Sequence, residues 1–470
     1  MLSKIGSIQS IKSCLLFITT FLLIPSAKAD TLQPIDFAQA VKLALSANPK
    51  ITARIAKVEE ADAGITQARA KGLPELDLES DAARSDNPLN VFSYKLSQGQ
   101  ASFADFGFAQ FNGSDSINTL PTALDSPGYY SNLNTGVVIN VPIFSGGENR
   151  AKLKRAQSLL KAAQEENQQA KLELTYDVLQ AYEGVRATAA LVAIARQSLH
   201  ASDEYVSLTQ ALNKQSLVLQ SDVLFAQTNE RSAKTTLQAA IAQNRDQLDT
   251  FQILVGRPQS NIVPGAAVYL PLPQRSIEAL QASAYLSNAE LASLKDLADA
   301  NQANIGSAKA GYWPEFDLQL RHDWNSPNLG TSMPSNTVML EMNWSLFNFG
   351  SQAGATREAK AEYKEALAEW QSAKDNVRLS IIQTVRALQT TALQRQTSDQ
   401  NAYQSMEMVN ILKKKYGQAV IPFGELAAGQ AQLDTAKAQQ VMTRYNMLLA
   451  QAKLLMLINQ LDFSAKQGKL

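Results

Sequence analysis

Cysteine is nearly absent from this chain: its 470 residues include one, Cys14. A lone thiol excludes a disulfide framework within the chain and a cysteine-based metal cluster. Histidine is almost as scarce, with only His200 and His322, and neither has a second ligand at zinc spacing. Charge of one sign is missing too, since 43 basic residues stand against 43 acidic ones. That balance leaves no basic footprint for nucleic acid. Beyond the first thirty residues no run nears about 18 consecutive apolar positions, so no membrane-spanning helix is expected. Glycine-rich phosphate loops, nucleophile elbows and HExxH patterns are all lacking. The chain is therefore read as a non-enzyme with no catalytic residues, cofactor or metal site.

What is present begins with an export signal. Residues 1–29 read as a signal peptide, with Lys4 and Lys12 in a basic region, an apolar stretch from Cys14 to Ile24, and Ala27-Lys28-Ala29 as the cleavage site. Asp30 is the expected first residue of the exported chain. Cys14 leaves with the leader, and it lies inside the apolar stretch rather than at an acylation position.

The most informative feature is an internal duplication. Shifted by 240 residues, Asn48 falls on Asn288, Ile65 on Ile305, and Leu73 to Leu78 on Trp313 to Leu318. Further on the shift becomes 203: Ile143-Phe144 meets Leu346-Phe347, Gly147 meets Gly350, and Asp222 meets Glu425. This second register runs unbroken from Val141 to Gly256, as long helices require, because a one-residue slip rotates every later side chain by about 100°. The shifts differ by 37, which places a single length change between residues 79 and 140.

Each copy, 30–256 and 276–460, reads helix, strand, strand, long helix, long helix. The proline-rich segment 257–275 is the linker and 461–470 the tail. The first helix starts at Asp36, with Gln39 as its capping-box partner; in the second copy Ser276 caps without reciprocation. Leu73-Pro74 and Trp313-Pro314 end these helices. Segments 147–213 and 353–416 lack proline and are rich in Ala, Gln and Lys. At about 1.5 Å per residue each reaches roughly 95–100 Å, with a narrow apolar seam at steps of three and four. An ordinary long coiled coil would show the same pattern.

The segments 75–84, 134–144, 315–324 and 338–347 alternate with period two. Leu76, Leu78, Val137, Ile139, Val141, Ile143, Phe316, Leu318, Leu320, Val338, Leu340 and Met342 take one face, with mostly polar residues opposite. Strands of about ten residues with this pattern suit a membrane barrel, greasy outside and wet inside. A sheet covering a soluble core alternates in the same way. Membrane barrels start at about eight strands and tolerate no open edge, so four strands per chain require other copies: two give eight, three give twelve.

These residues resemble the TolC-like outer-membrane efflux proteins over essentially the whole exported length. The resemblance is carried by Asn48-Pro49, the Leu-Pro before the first strand, Val141 to Gly147 leading into the long helix, and the turns Ser216 to Val223 and Tyr416 to Pro422. The run Phe92 to Phe108 resembles a loop found in some members. The implied fold is mainly α with a small β membrane part: a coiled-coil-like α-barrel of roughly 100 Å plus a transmembrane β-barrel, both shared by a homotrimer.

The resemblance further implies the outer-membrane channel of a tripartite efflux pump or type I secretion system, in the cell outer membrane with a long periplasmic extension. Its partners would be a periplasmic adaptor, an inner-membrane pump and outer-membrane lipid. Asp222 and Glu425 are the implied periplasmic constriction; as helix-start carboxylates favoured by the dipole they need no such role. Ser216, Leu217, Val218, Gly417, Gln418, Ala419, Val420 and Ile421 are the implied adaptor-contact tips, with Ser216 and Ala419 where relatives often carry glycine. Lys413 to Lys415 would sit beside the adaptor or form a solvated charge run. The alternative function is a soluble periplasmic helical-hairpin adaptor or scaffold.

Overall fold

The computed structural model describes residues 33–461. The expected leader and all but the first residue of the expected tail lie outside the described residues. Strand β1 (Gln33–Ile35) leads into α1 (Phe37–Ala47), α2 (Pro49–Ala70), β2 (Glu75–Ser85), α3 (Pro88–Ser97), the one-turn α4 (Thr122–Asp125) and β3 (Tyr130–Ser145). The long helices α5 (Glu148–Lys214) and α6 (Gln220–Leu254) complete the first copy. After β4 (Ile262–Pro264) come α7 (Ile277–Ser287), α8 (Ala289–Ala310), β5 (Glu315–Ser326), β6 (Pro334–Asn343), α9 (Ser351–Gly417) and α10 (Phe423–Leu457).

The two copies match in length: 67 residues in α5 and α9, 35 in α6 and α10. Each 67-residue helix spans about 100 Å. The apolar seam is narrow and rich in alanine, so the helices pack closely in pairs, α5 with α6 and α9 with α10. One stretch of α5 matches a membrane span in length and mean hydropathy, 1.2, yet half of it is buried inside the fold. It is a core helix, enclosed by α1, α2, α8 and α10.

The expected first helix is two helices in each copy. Asn48 precedes a proline and takes extended backbone, and its side chain accepts from the Lys50 amide at 2.9 Å. Asn288 makes the same break without a proline, accepting from the Leu291 amide at 3.0 Å. The capping box at Asp36 does not form, because the Asp36 side chain makes no cap hydrogen bond. Ser276 does cap, accepting from the Ala279 amide at 3.3 Å.

The core lies where the middles of α5 and α9 meet the C-terminal ends of α6 and α10. Tyr182 is fully buried, with the rings of Phe37 and Phe251 edge-on at 5.6 and 5.7 Å. Its hydroxyl donates to the carbonyls of Ala266 (2.8 Å) and Ile35 (3.1 Å). Glu183 accepts the Val268 amide at 2.7 Å. The inter-repeat segment is thus a strap around α5, fixed by β4 pairing in parallel with β1.

The four longer strands form one sheet in the order β2-β3-β5-β6, antiparallel throughout. Register puts Leu76 opposite Ile139, Ile139 opposite Leu320 and Leu320 opposite Val338, so one face is continuously apolar. The other face joins Asp77, Asn140 and Gln319 by side-chain hydrogen bonds. On it Arg321 pairs with Glu79 and Asp323, both at 2.8 Å. Ile143 was expected on the apolar face. A bulge between Pro142 and Phe144 instead brings Phe144 opposite Phe316. An extra residue reverses the alternation, which the even spacing of the sequence hides. Strand β3 begins at Tyr130, earlier than the alternation implied, and β6 ends at Asn343, leaving Trp344 and Phe347 in the connection to α9.

Candidate functional site

Two regions carry features that packing alone does not require: the tips of the long hairpins and the two-faced sheet. At the tips, α5 and α9 end in the same way. Ser216 adopts φ 59° and Ala419 φ 55°. The Leu217 amide reaches back to the Leu212 carbonyl at 3.0 Å, and the Val420 amide to that of Lys415 at 3.0 Å. These are Schellman endings, in which a left-handed residue turns the chain so that later amides satisfy the last free carbonyls.

Beneath the turns lies a small second core. Phe423, fully buried at the start of α10, touches Tyr416 at 5.7 Å, Phe225 at 5.4 Å and Tyr205 at 6.5 Å between ring centroids. Tyr205 donates to Gln430 Oε1 at 3.0 Å, and Thr209 Oγ1 lies 2.7 Å from the Tyr416 hydroxyl. Ser198 donates to Asp434 at 2.6 Å, and Lys413 pairs with Glu204 at 2.6 Å. These contacts cross from α5 to α9 and α10, so the two hairpins are held together close to their ends. Burial pushes the Tyr205 phenol up to about 12, and the Glu204 and Asp434 carboxylates act in the same direction. Tyr416 is raised for the same chief reason, opposed by its bond to Thr209 and helped by the negative charge of Asp222. The Lys413 hydrogen bond holds Glu204 below the ordinary carboxylate value.

Asp222 and Glu425 occupy the third positions of α6 and α10, their amides bonded to the carbonyls of Leu219 and Pro422. Asp222 is half-buried and Glu425 exposed. Of the implied contact residues, Ser216 and Leu217 and, in the second turn, Gly417, Gln418 and Val420 are exposed, with Ala419 half-buried between them. Val218 and Ile421 pack down onto the tip core instead. Leu219, Leu224 and Phe225, which no sequence motif marks as contacts, also expose apolar surface beside the first turn. Phe225 gives one side of its ring to Phe423 and leaves the other open, a division that the order of apolar residues does not reveal.

In the sheet, Leu76, Leu78, Val338, Leu340 and Met342 of the apolar face are each more than half exposed. A soluble single chain rarely leaves so continuous an apolar surface open. The first and last strands, β2 and β6, each have only one partner, so both outer edges offer unpaired backbone groups. Among the described residues no three His, Cys, Asp or Glu side chains converge on a metal-sized site.

An α-helical hairpin shaft of about 100 Å joined to a sheet with one exposed apolar face defines a class of outer-membrane channel subunit. A family profile described as outer membrane efflux protein matches residues 40–257 and 280–460. The chain belongs to that family. The curated pyoverdine export outer membrane protein OpmQ of Pseudomonas putida is 22% identical over 419 residues, covering 88% of this chain and 84% of that protein. Among solved structures, CusC superposes with a TM-score of 0.76 at 14% identity, covering 91% of this chain and 93% of the other. The outer membrane protein VceC of Vibrio cholerae gives 0.73 at 18%, covering 90% and 95%. The fold is therefore that of the TolC-like channels, and its place is the outer membrane. The family and these structural neighbours are channels rather than enzymes.

Proposed function

We propose that three copies of this chain form a passive duct, fed from the periplasm by an adaptor and an inner-membrane pump. The observation that carries this reading is the sheet with an exposed apolar face and two open edges. Pairing β2 of one copy with β6 of the next satisfies both edges. Two copies would close about eight strands, whose interior side chains fill, whereas three close about twelve and leave a wet lumen. The face with Arg321, Glu79 and Asp323 then lines the lumen, and the face with Leu78 and Leu340 meets lipid.

The long helices extend the same lumen through the periplasm to the tips. There Asp222 and Glu425 contribute acidic groups at the narrowest point and favour cations, as rings of carboxylates do in other pores. Ser216, Leu217, Gly417, Gln418, Ala419 and Val420 are the surface for the adaptor, joined by Leu219. Opening is the parting of the two hairpins where Tyr205, Tyr416 and Phe423 now hold them.

The test is extraction and reconstitution of the full-length protein. A detergent-extracted trimer that conducts ions in a planar bilayer supports the duct. Recovery as a soluble monomer without detergent overturns it and favours the scaffold alternative.

A further inference from the structure

The first copy spends 44 residues, 86–129, between β2 and β3, where the second joins β5 to β6 with seven, 327–333. The difference is the 37 residues by which the repeat shifts disagree. This segment is folded. Asn87 caps α3 by accepting from the Leu89 amide at 3.1 Å, Lys95 pairs with Asp105 at 2.5 Å, and Phe92 meets Phe106 at 4.9 Å.

Its direction is set by Gln98, which is 3% exposed. Gln98 donates to the Ser131 carbonyl at 2.9 Å and to the Asn132 side chain at 2.8 Å. Asn132 in turn donates to Asn325 at 3.0 Å. By strand alternation Asn132 shares the polar face with Asn140, and Asn325 shares it with Gln319 and Arg321. The segment therefore folds over the polar face, at the end of the sheet away from the helices. Yet what it displays outward is apolar. Phe103, Phe108, Phe111, Ile117 and Leu120 are 59–79% exposed, and Phe106, Phe108, Phe111 and Pro121 line a groove of about 250 Å³.

The segment is anchored on the face opposite the one that meets lipid in the proposed duct, which argues against lipid as the occupant. We infer that the occupant is a second copy of this chain: the segments of three subunits pack against one another across the axis and form an apolar outer gate at the mouth of the duct. The inference rests on the trimeric duct proposed above. Geometry favours it, since a barrel of about twelve strands is narrow enough for three such segments, all on the lumen side, to meet. Apolar constrictions close pores by expelling water, so this gate is of a different physical kind from the acidic tips.

The test uses full-length protein. With Cys14→Ser, a Phe108→Cys substitution supplies the sole thiol, and a short bis-maleimide should link two subunits of one trimer. Separately, Phe103→Ser with Phe108→Ser and Phe111→Ser should raise single-channel conductance about twofold or more and admit larger polyethylene glycols from the outer side, since wetting an apolar constriction opens it. A conducting trimer showing neither cross-link nor conductance change overturns the gate alone. A monomer overturns the gate and the duct together.

Discussion

Ser216 and Ala419 occupy one and the same left-handed backbone position, at φ 59° and 55°, on the turns that end the two 67-residue helices. The ends of α6 and α10 repeat the arrangement at Gly256 (φ 70°) and Asn459 (φ 53°). Gly256 and Asn459 are residues that left-handed geometry favours; Ser216 and Ala419 are not.

Ser216→Gly and Ala419→Gly should each stabilise the tip by about 1 kcal/mol, because glycine removes the Cβ clash at positive φ and gives back part of that gain as unfolded-chain entropy. Hydrogen exchange of the turn amides checks this. Faster exchange in either variant would count against it.

Gly256→Ala should act in the opposite sense. The added Cβ meets Ala47 on α1 as well as an unfavourable φ, so a loss of about 2 kcal/mol or more is expected, seen as a lower thermal midpoint. An unchanged midpoint would show that α1 yields easily.

Phe423→Ala empties the centre of the tip core and should cost about 3–5 kcal/mol locally. Limited proteolysis should then cut near residues 216–219 and 419–422 while the middle of the molecule stays intact. Loss of the whole fold instead would mean that the tip core is not a separate unit.

Tyr205 predicts alkaline loosening of the tips. Its phenol ionises at 10.0 when unfolded and at about 12 when folded, so between those pH values the folded form keeps a proton that the unfolded form has lost. Stability is full below pH 10 and falls as pH rises, by up to about 1.4 kcal/mol per unit. Tyr205→Phe should flatten that slope. Proteolysis as a function of pH measures it, and an equal slope in the variant would remove Tyr205 as the cause.

Asp222→Asn with Glu425→Gln should lower cation preference and alter single-channel conductance. Unchanged values would leave these carboxylates as helix-start groups with no part in conduction.

Much of this was legible in the sequence because long helices need unbroken register. The 203-residue shift already implied that α5 and α6 equal α9 and α10 in length. Period-two alternation likewise placed Leu76 to Leu78 and Val338 to Met342 on a greasy face. The bulge at Pro142 to Phe144 was not legible, since an extra residue leaves the apolar pattern intact while changing which side chain faces which way. Nor was the break at Asn288, where the asparagine cap acts without the proline that accompanies it at Asn48-Pro49.

Local order, repeat and the polarity of each strand face are thus set by the sequence alone, because they depend on neighbours three, four or two residues apart. Tertiary structure decided what distant residues do to one another: that 257–275 straps α5 through Tyr182, that Tyr205, Tyr416 and Phe423 lock the tips, and that 86–129 folds over the polar face. Those contacts join residues far apart in the chain, and no periodicity records them.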